Sequence, residues 1–460
     1  MRFGVNYTPS VGWFHSWLDF SPSDTARDLE AIASLGADHV RIFPLWPVVQ
    51  PNRTLIRASA LQDVATVVDI AGSFGLDVNV DALQGHLSSF DFVPAWLDSW
   101  HRRNMFTDPD VVASTAAYVR ALARAVADKP NLLGITIGNE VNQFAHAPHP
   151  APHDVTAEQG HAWAAAMVAA ARDGLSAGSA GSSGGSGLEA RLDPATSAPS
   201  GAGSRPRPLV TVAQYDAAWY DDAQPFGPEH AADHGDATVT HSWVFNGSAA
   251  LHGALGPGSV RHGEYLLQLA AAWNRDPARP NWLQEVGAPT NVIAPEDAAS
   301  FTEQTIRHVL GAQQVLGVTW WCSHDVARSL ADFPELEYDL GLFTNDGRVK
   351  PAGEAFAAVA RSSAAAAAAP PATALVLDDV LPDGSDRHGM RADCAPGGRF
   401  AAAWLAVASA EPDGRGPQVV LRSRLGDTEM LAARGIDRCV DVPADLDSTT
   451  IRVAHPATTP

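Results

Sequence analysis

The sequence predicts an α/β fold, a (β/α)8 TIM barrel followed by a small C-terminal β domain. Short apolar runs typical of buried strands alternate with longer segments of helical periodicity through residues 1–360. Eight such strand–helix units can be counted, and this alternation is typical of a parallel barrel wrapped by helices. Polar and aromatic residues directly follow several strand runs, which is where such barrels build their active sites.

The eight predicted strands are short, and each is followed by a helix or by room for one. They are 2–7, 39–43, 76–83, 132–137, 209–213, 237–241, 281–285 and 318–321. The first helix, "SPSDTARDLEAIASLG", begins with a Ser or Asp cap and stops at Gly36. Later helices are expected near 61–71, 111–126, 158–172, 265–273, 298–316 and 353–363. The fifth unit is the weakest, because residues 219–236 show no clear helical pattern.

Two segments break this alternation. The stretch at about 174–207, which includes "SAGSAGSSGGSG", predicts a disordered insertion on the barrel face opposite the strand C-termini. The run "AAAAAAPPA" ends the predicted catalytic barrel of residues 1–363. Beyond it, residues 373–460 contain the strand-like runs "TALVLDDV", "RFAAAWLAVA", "QVVLRSRL" and "TTIRVAH". These runs predict a small antiparallel β domain.

Composition excludes several classes of function. With 31 basic and 52 acidic residues the net charge is −21, which disfavours binding to nucleic acid or to an anionic membrane. The N-terminus "MRFGVNYTPS" lacks the apolar region of a signal peptide, and no apolar run is long enough for a membrane span. The three cysteines are too scattered for a zinc site or a disulfide framework. We therefore expect a cytoplasmic protein, and its oligomeric state stays open.

The predicted strand ends carry residues suited to binding and catalysis. They are Trp13 in the first loop, Arg41 and Trp46 after the second strand, Asp81, Gln84 and His86 after the third, Asn139 and Glu140 after the fourth, His241 and Trp243 after the sixth, Glu285 after the seventh, and Trp320 and Trp321 after the eighth. Of Trp320 and Trp321, strand alternation allows one to face the barrel mouth, and we expect Trp321 to do so. Trp13, Trp17, Trp46 and Trp321 are expected to line a sugar cleft.

Glu140 and Glu285 end strands on roughly opposite sides of the predicted barrel mouth. Two carboxylates that face each other across a cleft suit glycoside hydrolysis, in which one protonates the leaving oxygen and the other attacks the anomeric carbon. A single glutamate at a strand end is more often a structural hydrogen-bond partner, but the pair is harder to explain in that way. Arg41 could form a structural salt bridge or keep a nucleophilic carboxylate ionised. His241 could be a core histidine, although we favour a role in the site.

The segment "HAPHPAPHD" places three histidines, His146, His149 and His153, close together. Metal binding is conceivable, but the prolines exclude a helix and no carboxylate cluster accompanies the histidines. A loop bordering the substrate is the favoured interpretation. We predict no metal site and neither a metal nor an organic cofactor.

The motifs "VRIFPLW", "GNE", "HSW", "LQEVG" and "VTWWCS" resemble those of clan A glycoside hydrolases, most closely family 5. The resemblance covers about residues 1–360. It implies that Glu140 is the acid/base and that Glu285 is the nucleophile. We expect burial and the neighbouring negative charge to raise the pKa of Glu140. Four further residues match binding residues of the family, and His86 matches a fifth more loosely. The four are Arg41, Asn139, His241 and Trp321. Trp243 stands where the family usually has a tyrosine.

The stretches "FGVNYTPSVGWFHSWLDF" and "LQGHLSSFDFVPAW" resemble a narrower group, the intracellular bacterial β-mannosidase-like enzymes of subfamily 18. That group is associated with Man-β-1,4-GlcNAc. The resemblance implies a retaining exo-β-glycosidase, preferably a β-mannosidase, with an oligosaccharide or glycoside as its substrate. The alternatives are an endo-β-1,4-mannanase or β-glucanase, an inactive sugar-binding barrel and a metal-dependent barrel hydrolase. The exact sugar and aglycone stay open.

Overall fold

The computed structural model describes residues 1–84, 86–182, 207–362, 371–410 and 414–442. The strands of these segments are β1 (Arg2–Asn6), β2 (His39–Ile42), β3 (Asp77–Asp81), β4 (His86–Leu87), β5 (Phe90–Asp91), β6 (Leu132–Ile137), β7 (Leu209–Val212), β8 (Thr238–Ser242), β9 (Asn281–Val286), β10 (Val315–Trp320), β11 (Thr373–Leu377), β12 (Gln418–Leu421) and β13 (Arg438–Asp441). The eight predicted barrel strands correspond to β1, β2, β3, β6, β7, β8, β9 and β10.

The helices surround these strands. They are α1 (Pro22–Ser34), α2 (Trp46–Val49), α3 (Ala58–Ser73), α4 (Pro109–Val126), α5 (Ala157–Ser182), α6 (Ala217–Tyr220), α7 (Pro228–Asp233), α8 (Ser248–His252), α9 (Pro257–Val260), α10 (His262–Trp273), α11 (Ala298–Val309), α12 (Pro351–Ser362), α13 (Met390–Cys394), α14 (Arg399–Ala410) and α15 (Thr428–Ala433). Short 3-10 helices cover Trp13–Leu18, Val141–Ala145, Glu335–Asp339 and Arg422–Arg424. None of the described helices has the length and apolarity to cross a bilayer.

The eight barrel strands form one parallel sheet in the order β7-β6-β3-β2-β1-β10-β9-β8. Its two ends approach each other at Asp236, whose N–H donates to the Val210 carbonyl at 2.7 Å. The Val210 N–H in turn donates to Oδ2 of Asp236 at 2.8 Å. The predicted (β/α)8 barrel is therefore confirmed, with all its strand C-termini at one mouth.

The helix signals in the sequence behave as expected. Ser21 caps α1 by accepting a hydrogen bond from the Asp24 N–H, and Leu29 and Ile32 are buried against the barrel. In the weak fifth unit, the two short helices α6 and α7 occupy the region without a helical pattern.

The predicted insertion begins later than expected, because α5 continues to Ser182. A Cβ on Gly174 would lie 2.3 Å from the Arg120 carbonyl oxygen, and one on Gly178 would lie 2.4 Å from the Ala127 Cβ. These glycines, four residues apart on one helix face, let α5 pack closely against α4. The expected loop from 174 is therefore wrong for 174–182, and the rest of the insertion, 183–206, lies outside the described residues.

The C-terminal segment does contain a small sheet, but its strands are parallel, in the order β12-β11-β13. The predicted antiparallel arrangement is therefore wrong. "RFAAAWLAVA", predicted as a strand, is helix α14, which buries Phe400, Trp404 and Ala408. Their four-residue spacing is helical, and the abundance of apolar residues around them hid it. "TTIRVAH" lies outside the described residues.

The C-terminal segment packs directly on the barrel. Trp404 is buried, its indole N–H donates to the Pro417 carbonyl at 2.8 Å, and its ring lies 5.0 Å from that of Tyr265 on α10. Tyr265 and Leu266 of the barrel share one apolar cluster with Leu375 and Trp404. The division into a catalytic barrel of 1–363 and a second domain of 373–460 stays a prediction.

Candidate active site

Four strands bring the central polar residues together at the barrel mouth. Arg41 lies on β2, Glu140 follows β6, His241 lies on β8 and Glu285 lies on β9. His241 and Glu285 are direct neighbours in the sheet register. All four side chains are almost completely withdrawn from solvent, with exposed fractions between 0% and 6%. Burying so many charges together requires mutual pairing, and the structure supplies it.

Arg41 organises one side of the site. Its Nη1 donates to Oε1 of Glu285 at 2.6 Å, and its Nη2 donates to the Asn139 amide oxygen at 2.8 Å. Its Nε and Nη2 both reach Oδ2 of Asp81, the former at 3.0 Å. The guanidinium also lies 4.7 Å from the centre of the Phe43 ring. Arg41 is therefore held rigidly, and its positive charge favours the ionised form of Glu285.

Glu140 reaches the site through an unusual backbone conformation. Its φ of 53° and ψ of 43° lie in the left-handed region, and Gly138 two residues earlier has a φ of 72°. Non-glycine residues adopt this region rarely and at an energetic cost, often at functional sites. A Cβ at position 138 would lie 2.1 Å from Cγ1 of Val141, so the turn requires glycine there.

His241 lies between the two glutamates. Its Nδ1 is 2.8 Å from Oε1 of Glu140 and 3.3 Å from Oε2 of Glu285. The other oxygen of Glu140 accepts from the Gln143 amide at 3.3 Å. Within the described part of the chain, Arg41 and His241 are the two side chains that contact the Glu285 carboxylate. The tyrosine hydroxyl expected from the family has no counterpart at Trp243.

The spacing of the two carboxylates decides what they can do. One oxygen from each glutamate and a ring nitrogen of His241 all lie within 4.8 Å of one another. Inverting glycosidases keep their carboxyl groups about 6.5–9.5 Å apart to admit a water, whereas retaining ones hold them about 5–5.5 Å apart. The arrangement therefore fits direct attack by one carboxylate with proton transfer by the other.

Burial and His241 set the protonation of the pair. Burial raises the pKa of Glu285, and the charge of Glu140 adds to the rise, although His241 and Arg41 oppose it. At Glu140 burial also favours the neutral carboxyl, but the hydrogen bond and charge of His241 bring its pKa below the usual value. The expected raised pKa of Glu140 is therefore wrong for this arrangement, because His241 lies nearer to Glu140 than to Glu285.

The same three groups, Glu140, His241 and Glu285, could in principle converge on a cation. The Arg41 guanidinium, 2.6 Å from Glu285, already neutralises part of that charge and would repel a cation. A second cluster, His161, Glu229 and His230, lies on the outer helices. Both ring nitrogens of His230 are engaged there, with the Gly227 N–H at 3.0 Å and the Ala157 carbonyl at 2.8 Å. Neither cluster is well prepared to bind a metal.

Aromatic rings border the carboxylates on one side. Trp321 packs edge-on against Phe43 at 5.5 Å and against Trp243 at 6.4 Å. Trp243 in turn stacks on Phe245 at 5.2 Å. Trp321 thus lies beside the residues that flank Arg41 and His241, as strand alternation predicted. The faces of such rings are suited to the apolar side of a sugar.

Two of the predicted cleft tryptophans lie elsewhere. Trp46 is 0% exposed, donates its indole N–H to Gln50 and packs against Trp96 and Tyr118. Its place at the start of α2 turns it into the core between helices, so the prediction that it lines the cleft is wrong. Trp13 is 2% exposed and surrounded by other rings, so it supports the loops and offers no open face to a sugar.

His86 and Asn139 meet at the other side of the site. The Asn139 amide donates to the His86 carbonyl at 2.9 Å, which connects the short hairpin β4–β5 to the end of β6. The His86 ring is 3.3 Å from Oδ1 of Asp91, and its charge acts on Glu140. His86 therefore lies close to the acidic pair, as the family motif implied.

Aromatic contacts join the loops after β1, β3 and β10. Trp13 contacts Phe90 at 5.5 Å and Phe333 at 4.7 Å, and Phe90 contacts Phe333 at 4.8 Å. A hydrogen bond of 2.8 Å from the Ser88 hydroxyl to Glu337 joins the same loops. These contacts tie the three loops together at the barrel mouth.

The three clustered histidines do not converge. His149 contacts Asp91 at 3.0 Å, and His146 lies 3.9 Å from Asp221. His153 packs edge-on against Phe106. Through Asp91 this loop contacts the β4–β5 hairpin, which agrees with a loop bordering the substrate.

Three acidic residues near the site had no assigned role in the sequence analysis. Asp81 was noted at a strand end, and it proves to be a partner of Arg41. Asp216 is 1% exposed, accepts from the Asn246 amide at 3.0 and 3.1 Å, and interacts electrostatically with Glu140. It follows the fifth predicted strand, 209–213, but was not singled out among the strand-end residues. Glu337 lies far along the loop after β10, where no sequence spacing points to it.

Comparison with known proteins identifies the family. The protein-family models give no match, and curated proteins give none at the significance required. Among solved structures, a GH5_18 glutamate-to-alanine variant from Streptomyces cattleya, in complex with Manβ1-4GlcNAc, is 49% identical, with a TM-score of 0.85. The match covers 99% of this chain and 100% of that one. The chain belongs to glycoside hydrolase family 5, subfamily 18.

Two further structures extend the comparison. A GH5_18 variant from Bifidobacterium longum subsp. longum, also in complex with Manβ1-4GlcNAc, is 40% identical over 96% of each chain, with a TM-score of 0.84. An exo-β-1,4-mannosidase from Opitutaceae bacterium strain TAV5 is 22% identical over 98% of this chain and 74% of its own, with a TM-score of 0.68, so it shares the fold. This subfamily 18 protein is a glycoside hydrolase with the carboxylate spacing of a retaining enzyme.

Proposed function

We propose that this enzyme is a retaining exo-β-mannosidase that acts on short β-mannosides such as Manβ1-4GlcNAc. The observation that carries the proposal is the pair Glu140 and Glu285, of which one oxygen each lies within 4.8 Å of the other at the barrel mouth. The sugar is supported by the two subfamily 18 relatives that were crystallised with this disaccharide.

In the first step Glu285 attacks the anomeric carbon, and Glu140 gives a proton to the glycosidic oxygen. The product is a mannosyl ester on Glu285, and the aglycone leaves. In the second step Glu140 takes a proton from water, which attacks the anomeric carbon from the face opposite Glu285, and Glu285 leaves as a free carboxylate. Two inversions give net retention.

The contacts of Arg41 support this division of roles. Two carboxylates this close titrate as a coupled pair and share a proton between them. Arg41 contacts Glu285 and not Glu140, so it favours the anion on Glu285 at the moment of attack. In the free site burial raises the pKa of Glu285 and His241 lowers that of Glu140, so this division of roles requires the shared proton to move to Glu140 when the substrate binds. When Glu285 becomes an ester its charge disappears, which lowers the pKa of Glu140 and prepares it to act as a base.

The aromatic cluster of the mouth loops supports exo action. An endo-β-1,4-mannanase or β-glucanase needs a groove open on both sides of the reacting bond. We infer that Trp13, Phe90 and Phe333, which join the loops after β1, β3 and β10, close one end of this groove. A terminal sugar therefore fits better than a chain interior. The presence of both glutamates argues against a barrel that binds sugar without cleaving it.

We place the enzyme in the cytoplasm as part of this proposal. All three cysteines are free, two of them buried and one exposed, which suits a reducing compartment. Short imported glycosides are the substrates available there, which agrees with a closed pocket.

A substrate screen tests the proposal. Aryl β-mannoside, β-glucoside and β-galactoside are assayed beside Manβ1-4GlcNAc, with and without a chelator. We expect the β-mannosides to be hydrolysed at equal rates with and without chelator. Preference for an internal bond of a longer mannan, or loss of activity with chelator, would favour the endo or the metal-dependent alternative instead.

A further inference from the structure

Glu337 lies in the 3-10 helix Glu335–Asp339, part of the loop that follows the eighth barrel strand. Its side chain is half-buried and points into a region where the charges of Glu285, His86 and Glu140 all act on it. It is thus an additional carboxyl group close to both catalytic carboxylates, contributed by a different loop.

Neighbouring contacts hold this short helix in place. The Tyr338 hydroxyl donates to the Leu330 carbonyl at 2.7 Å, and the Tyr338 carbonyl accepts from the Val326 N–H at 3.2 Å. The Arg328 guanidinium lies over the Tyr338 ring at 4.4 Å. A group mounted on such a braced turn can recognise a ligand without ordering a loop first.

One oxygen of Glu337 is held and the other is available. Oε2 accepts the hydrogen bond of 2.8 Å from the Ser88 hydroxyl. Among the described residues, no hydrogen bond reaches Oε1, which retains access to solvent. Burial raises the pKa of Glu337 to about 7, and the charges of Glu285 and Glu140 add to the rise although Ser88 opposes it. Such a carboxyl group is costly to keep in a half-buried place unless a ligand uses it.

We propose that Glu337 binds the terminal sugar of the substrate by accepting hydrogen bonds from its ring hydroxyls, and that Ser88 positions it for this contact. The inference rests on the proposed glycosidase function and adds a specificity-determining residue to it. A carboxylate accepts strong hydrogen bonds from hydroxyl groups, and a site that pairs with a given hydroxyl rejects substrates that lack it. Because the Ser88–Glu337 bond also joins the loops that block the cleft, the same residue couples sugar recognition to the closed end.

The test compares Glu337→Ala and Glu337→Gln with Glu335→Gln, a control on the same helix whose side chain is 80% exposed. Each variant is assayed on an aryl β-mannoside and on its 2-, 3-, 4- and 6-deoxy analogues. We expect kcat/KM on the parent glycoside to fall about 10- to 100-fold for both Glu337 variants, as for a lost hydrogen bond to a charged group, and to stay unchanged for the control. On the analogue that lacks the recognised hydroxyl, the wild type and Glu337→Ala should differ little.

Two outcomes would overturn the inference, and a third would contradict the proposed function on which it rests. Wild-type kcat/KM in folded Glu337→Ala would show that the residue does not touch the substrate. An equal loss on every deoxy analogue would indicate a purely structural role, and Tm values of the variants would show the accompanying destabilisation. A wild type inactive on all β-mannosides would instead contradict the proposed function, and the same variants would then be compared on the glycoside that it does hydrolyse.

Discussion

At the scale of single residues, the chemistry depends on unequal contacts around two similar glutamates. Among the described residues, Arg41 donates a hydrogen bond to Glu285 at 2.6 Å, whereas Glu140 contacts the neutral amide of Gln143 and shares His241 with Glu285. His241 couples Glu140 and Glu285, because loss of a proton from either glutamate changes the hydrogen bond that His241 can make to the other. A change at any of these residues should therefore affect one catalytic step more than the other.

Substitution of Glu140 should separate the two steps. We expect Glu140→Ala to impair glycosides with poor leaving groups far more than activated aryl glycosides, because only the former need a proton donor. Azide should restore turnover of the variant by attacking the mannosyl ester, and the product should be the β-azide. Glu285→Ala should be inactive on every substrate, and azide there should give the α-azide. An α-azide from the Glu140 variant would require the two roles to be exchanged.

Asp216 should make the fold less stable as the pH rises. Burial raises the pKa of Asp216 to about 7, against roughly 3.9 in an unfolded chain. Because the folded form binds its proton more tightly, the stability that it contributes is present below about pH 4 and is lost as the pH rises to about 7. Asp216→Asn keeps an acceptor for Asn246 and removes the titration. We expect its Tm to fall less than that of the wild type between pH 4.5 and pH 7.5.

The control for Asp216 is Asp173→Asn, since the Asp173 side chain is 64% exposed. Its Tm should follow that of the wild type at both pH values. Part of the fall in Tm between pH 4.5 and pH 7.5 should remain in Asp216→Asn, because burial also raises the pKa of Asp81 to about 6. Identical pH dependence of the wild type and Asp216→Asn would show that Asp216 does not titrate in this range.

At the scale of elements, the close contact of α4 and α5 extends the barrel wall beyond its predicted end. We expect Gly174→Leu to be destabilising by about 1–3 kcal/mol, because a side chain there meets the α4 backbone and Ala123. Ser176→Leu, on the exposed side of the same helix, should change the free energy of unfolding by less than about 0.5 kcal/mol. Urea unfolding of both variants measures the difference, and equal stabilities would contradict the packing.

The strands and helices of the barrel could be predicted because each has a local signal. β6 matched its prediction, because its short apolar run, which ends at Gly138, does not also show the periodicity of a helix. α14 was missed because Phe400 and Trp404 lie among many alanines, so strand and helix periods both fitted the run. The course of α5 past 174 was missed because its glycines signal a loop when the neighbouring helix is not known.

At the scale of the whole molecule, the site combines residues placed by the barrel strands with residues placed by long loops. Arg41, His241 and Glu285 lie on strands and Glu140 follows one, so the barrel topology alone places them at one mouth. Glu337 comes from a long loop whose path depends on tertiary contacts, and nothing in its spacing predicts it. Trp46 could not be distinguished from a cleft residue, because its burial depends on Trp96 and Tyr118 from other elements.

The most direct test of the account is the stereochemistry of hydrolysis. NMR spectra recorded during the first turnovers of Manβ1-4GlcNAc identify the anomer of mannose that is released before mutarotation. We predict β-mannose first, with an equal amount of GlcNAc, because attack by Glu285 and then by water inverts the anomeric carbon twice. α-Mannose as the first product would contradict the covalent mechanism and the roles given to Glu140 and Glu285.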